Sequence, residues 1–165
     1  MKNGLVIADA GPIFSLAILN QLEVLDQLFD EIKIANAVWN EITLIKTTEF
    51  YNTIEKYFKT KVSKINGFNE LTFVMDYGES ESVMLYKELK ADFLLIDDKK
   101  ARDIAENLDV RCIGTLGILS SVKNKGMIEE LRPLFIRLLD HNRYYSLKLL
   151  NAVLEINNET LITKA

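Results

Sequence analysis

Five carboxylates in this 165-residue chain have types and positions that suit shared chemistry. They are Asp9 in Val6-Ile7-Ala8-Asp9-Ala10-Gly11-Pro12, Glu41 in Val38-Trp39-Asn40-Glu41-Ile42, Glu79 in Gly78-Glu79-Ser80-Glu81-Ser82, and the pair Asp97-Asp98 in Leu94-Leu95-Ile96-Asp97-Asp98. Two of these sites directly follow apolar runs that read as buried parallel strands. Side chains at the carboxyl ends of such strands project into the crevice where open α/β sheets bind ligands. Carboxylates crowded together without a cation repel one another, so a cluster of this kind implies a divalent metal. A metal held only by oxygen points to phosphate chemistry, with nucleic acid as the leading substrate.

Other catalytic groups are scarce. The one His, His141, stands beside Asn142 and Arg143, where a surface position is expected. Any Ser or Cys triad would depend on it. The one Cys, Cys112 in Val110-Arg111-Cys112-Ile113, excludes an internal disulfide and paired-cysteine zinc ligation. A core position for it and a cytoplasmic protein are expected. Neither G-x-x-x-x-G-K-[ST] nor G-x-G-x-x-G occurs, so nucleotide binding through those loops has no support. The formal net charge of −4 argues against a general electrostatic grip on nucleic acid. It leaves room for a nuclease whose acidic site takes up cations. Lys99, Lys100, Arg102 and Arg111 lie near Asp97-Asp98 in sequence and suit a local basic rim, or simply a solvated helix face.

Each acid also has an ordinary structural use. Asp9 before a Gly-Pro turn suits a turn or helix cap. Glu41 beside Trp39 suits a solvated helix face. Glu79 at a helix start is favoured by the macrodipole, with Glu81 as a solvated neighbour. Asp97-Asp98 suit an N-cap and its first-turn partner. These separate uses do not explain why all four sites would fall at one end of a sheet.

The elements that must position them follow from apolar spacing. Residues 5–8 read as a first buried strand, ended by Asp9, Gly11 and Pro12. A helix is expected over 13–19, begun just after Pro12. Leu22, Leu25, Leu28 and Phe29 give a second helix, and residues 32–35 a second strand. Asn36 is expected to cap a third helix carrying Val38, Trp39 and Ile42 on its buried side. The stretch 46–64 is less regular, although Phe50, Ile54, Tyr57 and Phe58 fit an amphipathic helix. Helices over 79–89 and 99–108 alternate with strands over 93–96 and 110–113. Gly114 and Thr115 form a turn and N-cap before a helix that stops near Gly126. Two further helices are expected over 131–139 and 147–156.

This order predicts one α/β domain over 1–165, with a core over about 5–126 and a helical extension over about 127–165. The sheet is expected to be mostly parallel, of four or five strands with helices on both faces. Hydrophobic residues make up 48% and charged residues 27%, an ordinary globular balance. No apolar run is long enough to span a bilayer, and the N-terminal residues lack a signal-peptide pattern, so no membrane partner is expected.

The quoted motifs, together with Ile113-Gly114-Thr115-Leu116-Gly117-Ile118-Leu119, resemble the PIN domain, whose fold is similar to the nuclease core of flap endonucleases. More narrowly, the chain is similar to PIN-like proteins classed as a domain of unknown function and often encoded beside small antitoxins. The resemblance implies an acidic site that binds Mg²⁺ or Mn²⁺ and cleaves RNA. It implies Asp9, Glu79 and Asp98 as metal ligands and Glu41 and Asp97 as further catalytic acids. On a nuclease mechanism, Lys99, Lys100 and Arg102 are then expected as substrate contacts that steady the strand. An antitoxin-like protein or a second copy of the chain is the implied protein partner. Many PIN domains carry Ser, Thr or Asn close behind the first Asp, where this chain has Ala10 and Gly11. The alternative expectation is therefore a PIN-like regulatory or interaction module with weak or no catalysis.

Overall fold

In a computed structural model describing residues 2–163, five parallel strands form one sheet in the order β3-β2-β1-β4-β5. They are β1 (Leu5–Ala8), β2 (Glu31–Ala35), β3 (Val62–Ser63), β4 (Phe93–Leu95) and β5 (Cys112–Ile113). Val6, Ile7 and Ala8 are all fully buried. Successive strand residues point to opposite faces, so β1 is covered on both sides, as a parallel sheet requires. The chain first moves from β1 outward through β2 to β3. It then crosses to the other side of β1 and moves outward through β4 to β5. The direction reverses between β1 and β4, whose Ala8 and Leu95 are register partners. That is the topological switch point at which open α/β sheets place ligands.

Nine helices connect and flank these strands among the described residues. Helix α1 (Ala10–Ile18) and α2 (Val24–Leu28) follow β1, and α3 (Asn36–Ile42) and α4 (Tyr51–Phe58) follow β2. A short 3₁₀ turn (Glu70–Phe73) leads into α5 (Tyr77–Leu89), which precedes β4. Then come α6 (Lys99–Asn107), α7 (Thr115–Asn124), α8 (Arg132–Asp140) and α9 (Leu147–Ile156). The last two are part of the same core: Phe135, Leu138, Leu150 and Leu154 are fully buried in the central apolar cluster.

Three local expectations need correcting. Asn36 is the first residue of α3, and Ala35 holds its N-cap position. The α3 amide of Ala37 instead donates to the carboxylate of Glu81 at 2.8 Å. Glu81 is therefore a buried carboxylate anchoring α3 to α5, not a solvated neighbour of Glu79. Helix periodicity explains the difference: positions two apart face opposite sides. Cys112, expected in the core, sits only half-buried at its edge, with its thiol pKa pushed up to about 11 chiefly by desolvation. The expected surface position of His141 is observed.

Candidate active site

The switch point brings the ends of β1 and β4 together. The amide of Asp9 donates to Leu95 O at 2.9 Å, which fixes the first acid against the segment leading to Asp97. Asp9 occupies the N-cap position of α1 but makes no side-chain cap bond. Its carboxylate instead faces a cavity of about 240 Å³ lined also by Glu41, Glu79, Asp97 and Asp98. All five acids therefore meet at one place. Gly11, Asp76, Gly78 and Arg143 complete the wall.

Asp9 is only 7% exposed. Burial, then the negative charges of Glu79 and Glu41, push its pKa up to about 7. Two neutral donors offset this in part: the Ala10 amide first, and then Ser82, whose Oγ lies 3.3 Å from Oδ1. Glu41 and Glu79 are also pushed above the usual carboxylate range, each mainly by partial burial, with Asp76 adding repulsion at both. Such a set is short of positive charge. Close approach of the walls depends on Gly78 in the first turn of α5. A Cβ there would stand 3.0 Å from Glu41 Oε2 and 3.9 Å from Asp9 Oδ1.

The remaining acids are held differently. Glu79 completes a capping box with Asp76, whose backbone N–H donates to Glu79 Oε2 at 3.3 Å. Asp98 caps α6 by accepting the Ala101 amide at 2.8 Å. Only Oδ1 is used there, and Asp98 lies exposed along the cavity wall. Asp97 is tied down at both oxygens. Oδ1 accepts the Thr115 amide at 2.7 Å, and Oδ2 accepts the Thr115 hydroxyl at 2.7 Å and the Tyr145 hydroxyl at 2.6 Å. Asp97 thus joins β4, α7 and the C-terminal helices. Among the described residues, no three His, Cys, Asp or Glu side chains stand close enough to make a preformed metal cage.

Tyr145→Phe is accordingly expected to destabilise the protein. The lost hydrogen bond to a charged acceptor costs about 1.5–3 kcal/mol, or roughly 3–10 °C in melting temperature for a domain of this size. A thermal melt of the variant coinciding with that of the native chain would refute an anchoring role for this contact.

The predicted basic residues separate on α6. Lys100 lines a cleft of about 400 Å³ with Asp76, Glu79, Asp98 and Phe73. Lys99 extends outward and pairs with Asp103 at 2.6 Å. Arg102 pairs with Glu106 at 3.5 Å and lines a groove beside Gly114 and Cys112. Arg111, beyond α6, lies over the Phe93 ring. The cation that borders the 240 Å³ cavity is Arg143, from the turn between α8 and α9. Sequence spacing gave no pointer to it or to Tyr145, because both reach the site only through helix docking. Asp76 did carry a readable signal, the capping-box pattern Asp76-Tyr77-Gly78-Glu79.

This architecture has a family counterpart. A family model described as a PIN domain, of the kind classed as a domain of unknown function, matches residues 5–159. The chain belongs to the PIN-domain family. A search of curated proteins found no match. PIN domains form a nuclease-type superfamily and generally use divalent metal ions. The match takes in α8 and α9, and with them Arg143 and Tyr145. No helix among the described residues of this PIN domain is long and apolar enough to cross a membrane.

Proposed function

We propose that this PIN domain is an endoribonuclease dependent on Mg²⁺ or Mn²⁺. The observation that carries this reading is the meeting of the five candidate acids, together with Asp76, in one cavity at the switch point, with Asp9 buried, making no side-chain cap bond and its pKa pushed up to about 7. The donor set fits a small divalent cation that keeps several water ligands and needs only a few carboxylates. Asp9, Glu79 and the second oxygen of Asp98 would hold it. When bound, such an ion supplies an acidified water for attack on a phosphodiester and offsets charge on the departing oxygen.

The chain's own residues supply orientation. Ser82 steadies Asp9 and stands in for the hydroxyl missing behind it at Ala10 and Gly11. Asp97, fixed by Thr115 and Tyr145, adds negative potential without moving, and Glu41 closes the side next to Gly78. Lys100 is positioned to meet the RNA backbone in the adjoining cleft, with Lys99 and Arg102 as more distant contacts. Phe73, 85% exposed on the same cleft, offers a face on which an unpaired base can stack. RNA cleavage also fits the cytoplasmic setting expected from the lone cysteine.

A second reading, a PIN-like interaction module, is favoured by the lack of a preformed metal cage among the described residues. Exposed Leu44, Ile45, Phe68 and Tyr77 would suit docking of a small antitoxin or a second copy of the chain. The two readings separate in one assay: pure protein incubated with varied single-stranded RNAs in Mn²⁺, Mg²⁺ or EDTA. Cleavage in metal and none in EDTA is the expected result. Inert protein in both metals would reject the nuclease reading.

A further inference from the structure

The C-terminal turn delivers a cation to an acidic cavity without letting the acids consume it. Arg143 Nη2 donates to Gly11 O at 2.9 Å and Nε donates to Ser15 Oγ at 3.0 Å. Both acceptors are neutral. Among the described residues no carboxylate forms an ion pair with Arg143, although it shares the cavity wall with six of them. Among the described residues the Nη1 amine and the second Nη2 hydrogen have no hydrogen-bond partner.

The backbone is held as firmly as the side chain. Asn142 adopts a left-handed φ of 56°, ending α8, and the Arg143 amide then donates to Leu138 O at 2.9 Å. Two residues on, Tyr145 is locked to Asp97, and the Ser15 and Tyr145 hydroxyl oxygens are 2.8 Å apart. Tyr145 spends its proton on Asp97, so Ser15 donates to Tyr145. The chain Arg143, Ser15, Tyr145, Asp97 therefore runs in one donor direction from cation to anion, an arrangement that polarises each bond. A guanidinium fixed by neutral acceptors, with its remaining N–H groups free, keeps its charge for an incoming anion. Its planar fork matches two phosphate oxygens.

We propose that Arg143 is a catalytic residue that binds a non-bridging oxygen of the scissile phosphodiester, so that the α8–α9 turn completes the active site. This inference rests on the nuclease reading for the identity of the anion, and it adds a substrate contact from outside the α6 basic residues. The same segment also borders the neighbouring groove of about 330 Å³ with Asp98 and Lys99, which gives the strand a way out of the cavity.

Two measurements test it. In arginine-selective ¹H–¹⁵N spectra of the full chain with Mg²⁺, the Nε resonance of Arg143 is assigned by its loss in Arg143→Lys. It should move on titration with inorganic phosphate and with a short phosphorothioate RNA. An Arg143 resonance that stays fixed in both titrations overturns the proposal. In the cleavage assay, folded Arg143→Gln should lose roughly 100-fold or more, the usual effect of removing one donor to a developing oxyanion. Arg143→Lys should retain part of that activity. Added guanidinium should partly rescue Arg143→Gln, which a purely structural role would not permit. Native rates in Arg143→Gln overturn the proposal, and faster cleavage overturns it in favour of a self-inhibiting arginine. If the native chain cleaves no RNA, the nuclease reading fails, and the phosphate titration alone still decides whether Arg143 is an anion site.

Discussion

Asp9→Asn is expected to lower metal-dependent RNA cleavage by roughly 100- to 1,000-fold, a loss comparable to removing a principal electrostatic group from an active site. The substitution removes one negative charge at nearly constant shape. Its neighbours need no rearrangement, since Ser82 Oγ can donate to an amide oxygen as it does to Asp9 Oδ1. The loss should appear mainly in kcat, because Lys100 and Phe73, away from Asp9 in the adjoining cleft, still meet the RNA. Single-turnover cleavage of one labelled RNA by equal amounts of folded native and variant protein checks this. Undiminished cleavage by the variant would place the chemistry elsewhere.

The same substitution should stabilise the metal-free protein, and only above the acid range. Burial first, and then Glu79 and Glu41, raise the Asp9 pKa from an ordinary 3.8 to about 7. Between these values the folded chain holds a proton that the unfolded chain releases. The stability this contributes is fully present below pH 3.8 and is lost as pH rises through about 7. The full difference corresponds to a cost on the order of 4 kcal/mol at pH 8. Asn is neutral throughout and escapes that cost. Allowing for a weaker hydrogen bond to Ser82, Asp9→Asn should melt roughly 5–10 °C above the native chain at pH 8 in EDTA. At pH 4 the two should melt nearly together. Melting curves from pH 4 to 8 test the sign directly, and a variant less stable at pH 8 would contradict the buried, repelled carboxylate.

Much of this arrangement was legible in the sequence, for identifiable reasons. Runs such as Leu5–Ala8 are apolar at every position because both faces of the sheet are covered, and the acids that end them stand out. Asp9 and Asp97 therefore read as strand-end residues from sequence alone. Strand β3 escaped notice because Val62–Ser63 is only two residues long and half-buried, too short for a periodicity. In sequence, Asp98 was only narrowly preferred over Asp97 as the metal ligand. They differ because Asp97 meets Thr115 and Tyr145, from elements far along the chain, whereas Asp98 makes a local cap. Glu81 was expected as a solvated neighbour of Glu79, but the helix turns Glu79 toward the cavity and Glu81 into the α3 interface. Arg143 left no sequence signal at all. Its position depends on the docking of α8 and α9 and on a left-handed turn at Asn142.

A divalent ion is expected to bind against Asp9. Calorimetric titration of Mn²⁺ into the metal-free protein, at pH 6.5 and 8 and in buffers of different protonation enthalpy, tests it most directly. Binding should be tighter at pH 8, and at pH 6.5 it should release part of a proton, because the ion displaces the one held by Asp9. Asp9→Asn should weaken binding by about 10-fold or more and abolish that release. Absence of binding at millimolar Mn²⁺, or an isotherm unchanged by Asp9→Asn, would contradict a metal site at the β1–β4 switch point.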